Sequence, residues 1–536
     1  MKNNYKPFVK ALLRICLLIL LTVISACKDQ TRQTDRISED FNVIEADIAS
    51  IQKAYRDGTL TVKELVSIYL DRIEKIDQSG PQLHSIIEVN PDALIIAEEL
   101  DKELKNGNLR GPMHGIPVVL KDNIDTHDKM PTTAGSRALQ NSYPLSDSYI
   151  AKKLREAGAV IIGKANLSEW ANFRGQLSTS GWSGEGGQTR NPYDLSRNPC
   201  GSSSGSAVAV AANLTVIAIG TETNGSIVCP SHSNGIVGIK PTVGLLSRSG
   251  VIPISFTQDT PGPMARTVRD AAICLGVLTG VDSSDSKTLA SAGKSYSDYT
   301  QFLKVDGLKG KRIGLYMGAF GANFKVDSLT SLAVRYMKSQ GAEIVEVDQI
   351  IDNEAEDASL QVMLFEYKDG LNNYFRSLGE NAPVKTVEDL IAFNKTDSVE
   401  LNYFDQVYLE MANAKEDLNS LEYVNALETM LRMSRDEGID RIMDKNRLDA
   451  IVAPTGTPAW KTDLINGDSF QLGTSSPAAL AGYPNICVPM GEISGLPVGI
   501  SFFGRAWSEP LLIEIAYSYE TGTKHRFIPD LTDSQK

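Results

Sequence analysis

The chain has 536 residues and a formal net charge of −13, room for one large domain or several smaller ones. Its composition, 42% hydrophobic and 22% charged, is that of an ordinary soluble protein able to bury a large core. The acidic balance, with no Lys/Arg stripe past the N-terminus, argues against nucleic acid as a partner.

The first residues, MKNNYKPFVKALLR, are basic at Lys2, Lys6, Lys10 and Arg14. The apolar run ICLLILLTVI follows, then Ser25-Ala26-Cys27. This is the three-part layout of a secretory signal, too short for a comfortable permanent span. The ISAC ending resembles a bacterial lipobox, which implies cleavage before Cys27 and lipid on its sulfur. The plainer alternative is a signal with a chance cysteine. We therefore expect a signal over 1–26, a polar tether over 27–40 and the main domain over 41–528. The protein would be an exported cell-envelope lipoprotein that meets the membrane through its N-terminal lipid only. Of six cysteines, Cys16 would leave with the signal and Cys27 would carry lipid. Cys200, Cys229, Cys274 and Cys487 are widely spaced with no CxxC. Export permits disulfides, but burial as small apolar side chains is the preferred expectation.

Thr61-Val-Lys-Glu64 is a capping-box pattern, and Leu65, Ile68, Tyr69 and Ile73 recur after it at helical spacing. Asn90-Pro91 predicts a second helix through AEELDKEL. Gly115 to Lys121 is a short apolar run, a buried strand ending on Lys121. A helix over Asp147 to Glu156 precedes the strand AVIIG, and KRIGLY, EIVEV and DAIVAPT continue the alternation. This predicts an α/β fold: one large α/β/α layered domain with a mixed, twisted sheet covered by helices on both faces. From about 350 to 445 helical patterns dominate, an excursion placed over the substrate mouth. After Asp449 the strand pattern returns and persists to about Phe503.

The stretch CGSSSGSAVAVAANLTVIAIGTETNGSIVCP holds the chemistry. Gly201 to Gly205 fits G-x-S-x-G with Ser203 central, the nucleophile elbow of α/β-hydrolases. The residues before it, TRNPYDLSRNPC, are turn formers rather than a strand. His232 lies too close for that chain order, and His525 sits in a polar tail. No Gly-Lys-Ser/Thr follows, so a phosphate loop fails as well. A Gly/Ser linker fails to explain the apolar helix SAVAVAAN and strand TVIAIGT that come next, or the second Gly/Ser turn.

GPMHGIPVVLKDNIDT, CGSSSGSAVAVAANL, GTETNGSIVCP and GIVGIKPTVGLLS, in that order, resemble the amidase signature family. The resemblance runs on through QDTPGPMARTVRDAA and LDAIVAPT to AGYPNICVPMG and GLPVGISFFG. It is weakest between about 350 and 445, and it is nearest to the peptide amidases of that family. It implies a Ser–cis-Ser–Lys triad in place of histidine: base Lys121, bridging Ser202 and nucleophile Ser226. A cis bond would precede Ser202 at Gly201, and the backbone of Thr223, Asn224 and Gly225 would form the oxyanion hole. The implied activity is hydrolysis of a small-molecule or peptide carboxamide to acid plus ammonia or amine, without cofactor or metal. A tRNA-dependent amidotransferase subunit shares the signature, and the export signal argues against it. The rival from another class is a catalytically inactive lipoprotein that binds amides or peptides.

The triad makes a physical demand. A free lysine is neutral in only about one molecule in 2,500 at pH 7, so holding it neutral costs roughly 4–5 kcal/mol unless its pKa is lowered. Burial against GIPVVL supplies that shift. Asp122, next on the strand, points to the other face and leaves Lys121 unpaired. Cys200 stands where the family commonly has Gly, and Asn224 where it has Gly or Asp. Asn224 is expected to tolerate a left-handed backbone in the turn. Trp170, Phe173 and Trp182 suit a pocket wall and a core equally.

Overall fold

The computed structural model describes residues 41–531. The signal, Cys16, Cys27 and the tether assigned above lie outside the described residues.

Among the described residues thirteen strands are formed. In chain order they are β1 (Ile86–Val89), β2 (Pro117–Lys121), β3 (Val160–Ala165), β4 (Trp182–Ser183), β5 (Gly187–Gln188) and β6 (Ile217–Glu222). Then come β7 (Val237–Lys240), β8 (Thr260–Ala265), β9 (Arg312–Tyr316), β10 (Glu343–Val347), β11 (Ala450–Pro454), β12 (Asn485–Ile493) and β13 (Leu496–Phe503). Eleven make one sheet in the order β1-β3-β2-β6-β8-β7-β12-β13-β11-β9-β10. β2 runs parallel to β3 and β6, and β9 runs parallel to β10 and β11. The remaining pairs are antiparallel, so the sheet is mixed, and helices flank it.

The buried strands are continuous apolar runs because both faces are covered. Every residue of β2, β3, β6 and β8 is buried. Each fully buried Val, Ile or Leu there contributes about 1.5–3 kcal/mol of transfer free energy. The predicted helices form close to their expected limits. Thr61 caps Val62–Arg72 through the capping box with Glu64. The helix expected from Asn90-Pro91 begins later, at Ala93–Lys105, because Asn90 and Pro91 build the turn before it. The strand pattern after Asp449 is interrupted: between β11 and β12 lie a long loop and the short helix Ser476–Ala481.

The 350–445 segment is helical, with Asn353–Ser377, Val387–Asn394, Val407–Asn413, Leu421–Ser434 and Asp440–Asn446. Its long first helix is pinned to the loop before β8 by buried Glu366. That carboxylate accepts from Ser255 Oγ at 2.5 Å, Thr257 N–H at 3.0 Å, Thr257 Oγ1 at 2.5 Å and Tyr423 OH at 2.7 Å. Removing the acceptor leaves these donors buried and unpaired. Glu366→Ala is expected to cost about 3 kcal/mol of stability, read as a lower urea midpoint, with Glu366→Gln recovering part of it.

Candidate active site

Lys121 ends β2, fully buried. The parallel register sets Leu120 opposite Ile219 of β6, which carries Lys121 to the C-terminal end of that strand. There Lys121 Nζ lies 2.7 Å from Ser202 Oγ, 2.9 Å from Thr221 Oγ1 and 3.2 Å from Thr221 O. A neutral amine has two N–H groups and one lone pair. With its two N–H groups on the Thr221 oxygens, the neutral amine has its lone pair left to accept the Ser202 proton, whereas the charged amine donates to all three oxygens. Burial lowers the Lys121 pKa to about 7, against the opposing pull of Asp259 and Glu222.

The neighbouring carboxylates are engaged elsewhere. Asp122 faces Lys164, 3.7 Å away, and Thr133, as strand alternation predicts. Asp259 accepts from Thr223 Oγ1 at 2.6 Å and from the N–H groups of Ile254 and Ser255. Glu222 accepts from the N–H groups of Ile227 and Val228, at the start of the helix Val228–Ser233.

The serine bend and the nucleophile turn meet. Ser203 N–H donates to Ser226 O at 3.1 Å, and Ser203 Oγ bonds the backbone of Thr221. The Gly201–Ser202 peptide is cis, as the resemblance implies. Gly201 is required there because a Cβ would sit 2.1 Å from Ser168 Oγ. In the second bend the left-handed residue is Gly225, at φ +85°, and not Asn224 as expected. Asn224 is exposed, and its amide bonds Ser475 Oγ and Ser476 Oγ.

The four spaced cysteines do not all remain thiols. Cys200 and Cys229 form a disulfide, with Cα atoms 6.0 Å apart, while Cys274 and Cys487 are buried and free. Sequence spacing gave no sign of the pair, because Cys200 and Cys229 are brought together only when the two bends meet.

Ser202, Ser226, Thr223, Asn224 and Gly225 lie in the wall of one cavity of about 450 Å³. Apolar side chains line much of the rest, including Phe173, Leu177, Ile254, Met363, Trp460 and Phe470. Of the three aromatics left open by the sequence, Phe173 lines this cavity. Trp170 and Trp182 are core, packed against Phe375 and against Tyr403 and Phe404. Met363, on the long helix of the excursion, brings that segment to the cavity as expected.

His232 is structural. Its Nδ1 accepts from Gly499 N–H at 2.9 Å, so Nε2 donates to Thr457 O at 2.9 Å. Burial lowers its pKa to about 4, which keeps it neutral. Among the described residues no group of His, Cys, Asp and Glu is arranged to hold a metal ion. Two features were hidden in the sequence. Thr221 reads as an ordinary strand residue, and the loop carrying Trp460, Asp468 and Phe470 reads as part of a strand region.

A family model described as Amidase matches residues 64–513. The native peptide amidase of Stenotrophomonas maltophilia is 49% identical, with a TM-score of 0.88 over 91% of this chain and 99% of that one. A peptide amidase solved with the competitive inhibitor chymostatin is 50% identical, with a TM-score of 0.89 over 91% and 100%. The "Probable amidase At4g34880" of Arabidopsis thaliana is 43% identical over 505 residues, covering 92% of this chain and 93% of that one.

Proposed function

The chain belongs to the amidase signature family, and from that premise we propose that it hydrolyses the C-terminal carboxamide of peptides, with Ser226 as nucleophile, Ser202 as proton relay and Lys121 as base. It is a carboxamide-hydrolysing amidase, a C–N hydrolase. The observation that carries the assignment of roles is the buried Lys121 amine, its Nζ 2.7 Å from Ser202 Oγ and no carboxylate bonded to it.

In the proposed cycle Ser202 passes its proton to Lys121 and takes the proton of Ser226. Ser226 Oγ bonds the carbonyl carbon, and the oxygen becomes an oxyanion. Backbone N–H groups of Thr223, Asn224 and Gly225 receive that charge, in a turn held by Cys229 N–H on Gly225 O at 2.8 Å. The proton stored on Lys121 returns through Ser202 to the nitrogen, the C–N bond breaks, and ammonia leaves. Water then repeats the relay against the acyl-enzyme and releases the carboxylic acid.

Two observations support a peptide substrate. The structures just compared are peptide amidases at 49% and 50% identity. The cavity also has an apolar wall on which Asp468 is the one charged side chain, its carboxylate accepting from Trp460 Nε1 and Ser180 N–H. Such a wall suits an apolar acyl side chain and disfavours a second carboxylate.

For location, we propose export and lipid attachment at Cys27. The support is the basic start, the short apolar run and the ISAC ending. Retention of labelled lipid by wild type, lost in Cys27→Ala, is the expected result.

The test of function is ammonia release from a panel of peptide amides, simple alkyl and aryl amides and acidic amides. Short apolar peptide amides are expected to give the highest kcat/KM. Loss of the Lys121 proton switches the base on, so kcat/KM should rise with pH through about 7. A preference for simple amides over peptide amides would overturn the substrate class.

A further inference from the structure

Cys200 and Cys229 sit at the two ends of the catalytic apparatus. Ser202 is the second residue after Cys200, and Ser226 is the third before Cys229. Their disulfide closes a 29-residue separation that contains the serine bend, the helix Ser204–Ala211, β6 and the nucleophile turn. Cys200 is anchored to its own bend: its N–H donates to Asn198 Oδ1 at 2.8 Å, and its carbonyl accepts from Ser204 Oγ at 2.6 Å. Cys229 is anchored to the other, with its N–H on Gly225 O. Each sulfur is therefore fixed to the backbone of one catalytic serine's bend. Both cysteines line the substrate cavity, Cys200 almost fully buried and Cys229 partly exposed, so a small thiol can reach the bond.

We infer that Cys200 and Cys229 are positioning residues for the amidase reaction: their disulfide clamps the Ser202 bend against the Ser226 turn, and full turnover requires it closed. This rests on the catalytic roles proposed above. Without the bond, the two bends are joined by hydrogen bonds alone: Ser203 N–H to Ser226 O, Ser203 Oγ to the backbone of Thr221, and the Asn234 amide to Pro199 O and Pro230 O. The disulfide is the one covalent tie among them that fixes the separation of the two turns. Misplacing reacting groups by about 1 Å costs on the order of 100-fold in rate. An oxidising compartment keeps the pair closed, and a reducing one opens it.

The experiment compares full-length protein oxidised, reduced with dithiothreitol, reoxidised, and as the double variant Cys200→Ala/Cys229→Ala. In the reduction the S–S bond takes two electrons and two protons and becomes two thiols, and dithiothreitol becomes its cyclic disulfide. Thiol titration of denatured samples confirms each state. Hydrogen–deuterium exchange over 199–205 and 223–229 is measured together with kcat and KM for a peptide amide at 25 °C.

On reduction, exchange should rise in both bends. We also expect kcat to fall about 10- to 100-fold with KM changed less than twofold, and both readouts to recover on reoxidation. The rise of kcat/KM with pH should move upward, because a looser bend admits water to Lys121. A double variant that fails to fold leaves the reduced wild type to give the same answer. Unchanged exchange overturns the clamp, and so does a kcat within twofold of the oxidised enzyme. Should oxidised wild type release no ammonia from any amide, the functional reading fails, and the exchange arm alone still decides whether the disulfide holds the bends.

Discussion

Ser226→Ala is expected to lower ammonia release by on the order of 10⁴- to 10⁶-fold while leaving the unfolding transition within about 0.5 kcal/mol of wild type. Ser226 is the half-buried hydroxyl at the head of the cavity, and within the protein its backbone carbonyl holds the bend to Ser203. The substitution keeps that backbone contact and removes the hydroxyl alone. A fluorophosphonate probe should label wild type at Ser226 and fail to label the variant. Ser203→Ala separates the roles of the serines. Ser203 Oγ is committed to Thr221 O and Thr221 N–H, so its loss should destabilise the site without removing the labelled atom. Equal labelling of wild type and Ser226→Ala would contradict the nucleophile, and no labelling of either would favour a binding protein over an enzyme.

The layered α/β architecture was readable because period and composition decide it locally. Buried strands such as GIPVVLK and TVIAIGT are short β-branched or apolar runs, and the capping box at Thr61 marks its helix directly. The grouping of Lys121, Ser202 and Ser226 has a different basis. Residue pattern alone makes Lys121 the last residue of a buried strand, and only the ordered motifs of a family draw the three together. What escaped was set by tertiary meeting. The Cys200–Cys229 bond exists because two bends separated by a helix and a strand converge. Thr221 serves Lys121 through a backbone carbonyl as well as a hydroxyl, and a carbonyl has no sequence signature. The positive φ fell on Gly225 rather than Asn224 because the neighbouring glycine takes the left-handed position without steric cost.

Lys121→Met should abolish turnover and also change how stability depends on pH. In the unfolded chain this lysine titrates near its ordinary value of 10.5, and in the fold burial brings it to about 7. Between those two values the unfolded state holds a proton that the folded state has released. Stability of wild type therefore rises with pH across that window, by about 1.4 kcal/mol per unit. Below pH 7 both states are protonated and the full penalty, roughly 5 kcal/mol, is present; above 10.5 both are neutral and it vanishes. Methionine fills a similar volume without a charge, so the variant lacks this term. It does lose the bonds to Ser202 and Thr221, an offset of about 1 kcal/mol each that hardly varies with pH. Urea unfolding of both proteins should show wild type gaining roughly 3 kcal/mol on the variant between pH 7 and pH 9.5. Parallel curves would mean an ordinary lysine pKa in the fold. The amine would then be charged at neutral pH and unable to take a proton from Ser202, and the assigned base would be lost along with the relay built on it.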